Sequence, residues 1–301
     1  MSDLIGATPG DAARLSRITE LRQRMRGEGF LALLGGGLLV LMVLFALLVP
    51  ILVDIDPNHQ TLTDRLMPPG SRGSTGVFHL LGTDALGRDI AVRVFIGARF
   101  SLLISFAAVL GAMVFGTITG LVAGYRGGLI DDVLMRIVDL QLSFPIVLLA
   151  LALVALLGPS LGNVILVFAL TSWPVFARTI RASTLTIKER AFVEAAYGIG
   201  TRRTRIMFGQ ILPNALGPLT VIATFELAKV LIYESSLGFL GLGIQPPTAT
   251  WGNMMADGRN YLGTAYWITL FPGLALVTSA AAANWLGDGT NQLIDPRLRT
   301  R

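Results

Sequence analysis

Two groups of residues in this chain combine types and spacings that could carry a function. The first is Glu194-Ala195-Ala196, followed by Gly200 and then by Ile211-Leu212-Pro213; the second is Glu226, Lys229 and Glu234, set into an otherwise apolar run. Neither is a catalytic set. There is no cysteine, which removes thiolate metal sites and thiol nucleophiles, and the only histidines, His59 and His79, share one polar segment without a plausible partner. The lysines are Lys188, after Ile187, and Lys229, after Ala228, so no Gly-Lys dipeptide exists to build a phosphate-cradling loop. No His-Glu-x-x-His or nucleophile elbow occurs either. No catalytic, cofactor-binding or metal residue is assigned. What remains is mechanical and electrostatic: a small-residue helix that can enter a partner's groove, and charges that must be paired or wetted inside an apolar medium.

The elements that position these residues follow from composition. Of 301 residues 53% are hydrophobic and only 14% charged, with a mean hydropathy of +0.66, so the expected solvent is a bilayer. The run 30–53 is free of charge and about 36 Å long as a helix, enough to span with some tilt. It exceeds the apolar core of a cleaved signal peptide, and Leu52-Val53-Asp54 is no cleavage site. Residues 54–99, rich in Pro and Gly, read as an external loop. Residues 100–124 form a second span, with Gly116, Gly120 and Gly124 on one face for close helix contact. Residues 140–177, charge-free and too long for one span, divide at Gly158-Pro159-Ser160-Leu161-Gly162-Asn163. Spans at 215–242 and 260–287 complete an all-α integral membrane protein of six transmembrane helices.

Most Lys and Arg then fall on one side: Arg14 to Arg26, Arg126 and Arg136, the basic segment 178–213 and the last residues. By the positive-inside rule both termini, 1–29 and 288–301, and the long loop are cytoplasmic. The formal charge of +5 is thus topological and no nucleic-acid partner is implied. Leu15, Ile18, Leu21 and Met25 recur at helical spacing among the arginines, which suits either an amphipathic helix on membrane lipids or a solvated tail.

Within the cytoplasmic loop, 186–197 reads as a helix with a charged side (Lys188, Glu189, Arg190, Glu194) and an apolar side (Phe192, Val193, Ala196), and Gly200 permits a sharp reversal. In the fifth span Glu226 and Lys229 are three residues apart and can pair on one face. They serve either as an internal ion pair against neighbouring helices or as a lining of a translocation path, with Glu234 beyond them. Asp139, Gln141 and Ser143 are expected at the start of the third span, with Pro145 at its first turn or at a kink. In the outer loop, Gly82-Thr83-Asp84-Ala85-Leu86-Gly87-Arg88-Asp89 has the chemistry of a capped turn, and its spacing is not that of an EF-hand calcium loop.

The loop from Glu194 to Pro213 resembles the coupling loop, or EAA motif, of bacterial ABC importer permeases. The segments 79–89, 97–102, 238–243, Pro246-Pro247-Thr248, Trp251-Gly252, 286–289 and Asp295-Pro296-Arg297 are similar to the C-type subunit of the dipeptide/oligopeptide/nickel permease family, and the similarity covers nearly the whole chain. The resemblance implies a type I ABC importer (MetI-like) permease fold in the bacterial cytoplasmic (inner) membrane. It implies that Glu194, Ala195, Ala196, Gly200, Ile211, Leu212 and Pro213 dock on ATPase subunits that carry the ATP and Mg. It also places Asp84, Arg88, Asp89 and Trp251 near an external mouth. The partners implied are a homologous second permease, two ABC ATPases and an external solute-binding protein, with peptides as the commonest cargo. The alternative from the residues alone is a secondary transporter or channel without an ATPase.

Overall fold

The computed structural model describes residues 30–48 and 56–294. The rest of the expected first span, the stretch around Leu15 to Met25 and the tail beyond 294 lie outside them. The first helix, α1 (Phe30–Leu48), lies along the last one. Gly35 makes this approach close, since a Cβ there would stand 2.5 Å from the Ala282 carbonyl oxygen.

Residues 56–89 fold into turns around a two-stranded antiparallel hairpin, β1 (Ser71–Arg72) and β2 (Phe78–His79). The next helix, α2 (Ile90–Arg126), has 37 residues and starts ten residues before the position expected from hydropathy. Asp89 caps it, its side chain accepting from the Val92 backbone N–H at 3.1 Å. Arg93 and Arg99, which had suggested loop, lie in the first three turns. Arg93 is only 3% exposed, with Nη1 donating to the Pro57 carbonyl and to Asn58. Charge moved the apparent boundary: Arg93 finds partners in the turns of residues 56–89, and Arg99 lies on the exposed face of the helix.

The α2 face of Gly116, Gly120 and Gly124 is applied to α5 (Leu161–Lys188) as the spacing predicts. A Cβ at these positions would lie 2.5 Å from the Trp173 carbonyl oxygen, 2.2 Å from the Ala177 carbonyl oxygen and 2.8 Å from Thr184 Cβ. Only glycine lets the two backbones meet there.

Between these helices the expected third span is broken. It consists of α3 (Gly128–Leu142) and α4 (Ile146–Leu157), which are bent by 90° at Ser143-Phe144-Pro145. Proline cannot donate a backbone hydrogen bond and its ring pushes Phe144 out of helical geometry, so the chain turns. Asp139, Gln141 and Ser143 therefore end a helix; they do not begin one. Five described helices are long and apolar enough to cross a bilayer, and the count reaches six with this bent pair taken as one span.

α5 runs eleven residues past the expected end at Ala177 because its polar face is satisfied by α2 and α3. Arg181 forks onto Asp131 at 2.5 and 2.7 Å, Arg178 pairs with Asp139, and Lys188 Nζ donates to the Gly124 carbonyl at 3.1 Å. Charge-assisted bonds of this kind contribute roughly 1.5–3 kcal/mol. Arg181→Ala is therefore expected to cost the purified protein about 2 kcal/mol. Arg181→Lys keeps the charge but not the fork and should recover less than half of that in detergent unfolding.

The chain continues through α6 (Ala191–Gly198), α7 (Arg203–Ile206), one π-helical turn (Met207–Ile211) and α8 (Leu212–Phe239). The last two helices are α9 (Trp251–Gly258) and α10 (Trp267–Ile294). α10 continues through the segment expected to begin a tail at residue 288. α8 packs against α10, α2 and α5, and the core they share holds Ile104, Leu121, Phe168, Phe176, Ile180 and Leu231.

Candidate functional site

At one end of the bundle the structure builds a short peg from the Glu194 segment. The helix expected over 186–197 is divided: α5 ends at Lys188, and Glu189 and Arg190 turn the chain into the eight-residue α6. Val193 and Ala196, 0% and 3% exposed, join Ile206, Met207 and Ile211 in the core. Glu194 and Ala195 point outward. Phe192, expected on the packed side, is exposed with Tyr197 and Ile199, the last at 83%. These five buried side chains thus hold a small helix whose free surface is apolar with one carboxylate.

Gly200 closes the reversal after α6. Its φ is +74°, in the left-handed region, and its N–H donates to the Tyr197 carbonyl at 3.0 Å while that of Thr201 reaches Ala196 at 3.0 Å. Ile211 is fully buried under the peg, whereas Pro213 lies just after the π-helical turn, where the α-helical hydrogen-bond ladder is already interrupted. The Tyr197 ring stacks on that of Tyr125 at the end of α2, with centroids 6.4 Å apart, so α6 is tied to the longest helix.

The cluster at residues 82–89 is a locked turn. Asp84 accepts from the Leu86 and Arg88 backbone N–H groups at 2.8 and 3.0 Å and from Arg88 Nε at 2.6 Å. Arg93 Nε stands 3.8 Å away, and Arg88 Nη2 reaches Asp257 of α9 at 3.3 Å. Burial pushes the Asp257 carboxyl above its ordinary range, against the pull of Arg88 and Arg93. His79, read as partnerless, bonds Asp89 through Nδ1 at 2.8 Å; the pair joins hairpin and helix cap, which no sequence spacing reveals. The Ser74 backbone N–H holds the nearby Asp64 carboxyl below the usual range. Among the described residues no three metal-ligating side chains converge. Trp251 is no open mouth residue. It is 1% exposed, its Nε1 donates to the Val94 carbonyl at 3.0 Å, and its ring packs beside Gly97.

Within α8, Glu226 and Lys229 form the expected pair, unequally placed: the glutamate side chain is 2% exposed and the lysine 47%. Glu234 is 1% exposed, beside Ser235 Oγ at 3.3 Å, with Oε1 left without a partner. Gln141, expected only as part of a helix start, joins the bend to α5, a role no sequence spacing reveals: its Nε2 donates to the Leu170 carbonyl at 2.6 Å and its Oε1 accepts from Trp173 Nε1 at 2.9 Å.

Residues 116–300 match the family model of the binding-protein-dependent transport system inner membrane component, and residues 31–69 match that of the N-terminal transmembrane domain of oligopeptide transport permease C. The chain belongs to this family of transport permeases. A dipeptide transport system permease protein of Alkalihalophilus pseudofirmus is 39% identical over 90% of this chain and 87% of its own length. A di/tripeptide transport system permease protein of Pseudomonas aeruginosa is 40% identical over 88% of each. The fold is that of an ABC importer permease. A chain of the methionine ABC transporter MetNI, solved in inward facing conformations, aligns with a TM-score of 0.55 at 20% identity, covering 68% of this permease and 96% of that chain. The sequence-derived family and the all-α membrane architecture are thus both found.

Proposed function

We propose that this permease is one half of the pathway of an ATP-driven importer of short peptides in the bacterial cytoplasmic membrane. Its companions are a homologous second permease, two ABC ATPases and an external solute-binding protein. The chain itself catalyses nothing and binds no cofactor; ATP and Mg stay on the ATPases. The single observation that carries this reading is the α6 peg. It is fixed to the bundle through Val193, Ala196 and Ile211 and offers Phe192, Glu194, Ala195, Tyr197 and Ile199 to a partner. A peg held on one side and open on the other can pass the movement of an ATPase dimer into α5 and α8, provided the two states of that dimer hold it differently. The carboxylate and lysine in α8 belong to the pathway side in this reading. A charge facing lipid at mid-membrane would cost roughly 2.5–3.5 kcal/mol.

The test is ATP-driven uptake of a short peptide into vesicles containing the complete complex, with and without a change at Gly200. The space around Gly200 is open, so only its backbone angle is at stake. Gly200→Val places a β-branched residue at φ +74°, a strain of about 1–3 kcal/mol. Uptake per ATP hydrolysed is expected to fall roughly tenfold, the equivalent of about 1.4 kcal/mol. Gly200→Asn, which tolerates that region, should stay close to the parent. Unchanged coupling in the valine variant, or peptide uptake without any ATPase, would refute the proposal.

A further inference from the structure

We infer that Lys229 is a substrate-binding residue, an ammonium held half-way along α8 to receive the C-terminal carboxylate of a passing peptide. This rests on the importer reading above and adds to it a recognised group and a residue. Among the described residues one face of α8 is only partly covered: Phe225, Lys229, Ile232 and Ser236 recur at steps of three and four, with Leu240 just past the helix end, and each is exposed or half-buried. Lys229 lies ten residues from the helix end at Phe239, about 15 Å along the axis, which is the middle of a bilayer rather than its edge. An interfacial anchor would sit near the end. A residue serving only to neutralise Glu226 would be buried with it, yet the glutamate is 2% and the lysine 47% exposed.

The pair is built so that the acid positions the base. Glu226, enclosed by the bundle, takes one of the three N–H donors of the ammonium, while the lysine side chain remains 47% exposed and its other donors are left for a ligand. Such a group selects an anion small enough to approach a helix face, and the anion common to all unmodified peptides is the terminal carboxylate. Farther along the same face is a cavity of about 350 Å³ lined by Ile232, Ser236, Phe239, Leu240, Met255 and Leu276. It begins one turn from Lys229 and is centred near Ser236, about 10 Å away along the axis. That is the length of about three extended residues, so a carboxylate at Lys229 leaves an apolar side chain of the same short peptide at the cavity.

The experiment compares uptake of alanyl-phenylalanine and of its C-terminal amide by the complete complex, each peptide saturating the solute-binding protein. Removing the lysine alone would strand a buried carboxylate, so the pair is removed together in Glu226→Gln/Lys229→Met. The ratio of acid to amide uptake is expected to fall about tenfold in this variant and to stay within about twofold of the parent in Lys229→Arg. An unchanged ratio overturns the inference. Equal loss of both peptides also overturns it, since Lys229 then holds the second permease or the fold. A parent complex that takes up neither peptide with ATP fails at the importer reading, and the inference falls with it.

Discussion

Asp84→Ala is expected to destabilise the turn region of residues 56–89 by about 3–5 kcal/mol, the range for removing one partner of a buried ion pair. Asp84 is 4% exposed, and the two guanidinium groups it balances, Arg88 and Arg93, are 7% and 3% exposed. Its Oδ1 also takes the backbone N–H groups that define the turn. The alanine variant thus leaves two buried cations short of a counter-charge and two amides without an acceptor. Asp84→Asn keeps an acceptor but loses the charge and should fall between the two. Thermal unfolding in detergent, read beside the rate of proteolysis within residues 56–89, measures both. A loss below about 1 kcal/mol would mean that the arginines are satisfied by other groups.

Gly120→Leu is expected to prevent α2 and α5 from meeting. The first added carbon would lie 2.2 Å from the Ala177 carbonyl oxygen and 2.9 Å from its carbon, and backbone cannot swing aside as a side-chain tip can. Overpacking a well-filled site typically costs 1–3 kcal/mol, and with main chain on the other side the expected loss is more than about 3 kcal/mol. The readout is the yield of monodisperse protein together with its unfolding temperature. Gly162→Ala serves as the control. It lies in the first turn of α5 with nothing within 4 Å of the new Cβ, and should be neutral or stabilising by up to about 1 kcal/mol. Equal behaviour of the two variants would show that helix propensity, and not contact, decides these sites.

Hydropathy and residue type did not show the short helices α7 and α9 or most of α3, but were enough to find the long apolar helices, the glycine face toward α5 and the reversal at Gly200. These depend on local composition and on a spacing of four. The boundaries were misread wherever a charge was satisfied from far away in sequence. Arg93 is bonded to Pro57 and Asn58, and Arg181 to Asp131, fifty residues off, so helices α2 and α5 run through residues that looked like loop. The bend at Pro145 was legible as a breaker, but not as a 90° turn, because the angle is set by what Gln141 bonds on α5. At the candidate site the motif indicated the position and the outward direction of Glu194. It did not show which neighbour was buried: Phe192 and Val193 are both apolar, and only the packing against Ile206 and Ile211 places Val193 inside.

Helix α2, at 37 residues and about 55 Å, is far longer than the oily layer it crosses. One end is pinned by Asp89 and Arg93 to the outer turns, the other by Tyr125 to Tyr197. With its glycine stripe seated on α5 as a fulcrum, it is a lever whose two arms emerge in opposite compartments. In the importer proposed above, a small tilt imposed at the α6 end would reappear at the turns of residues 56–89, with no loop between them to absorb the stroke.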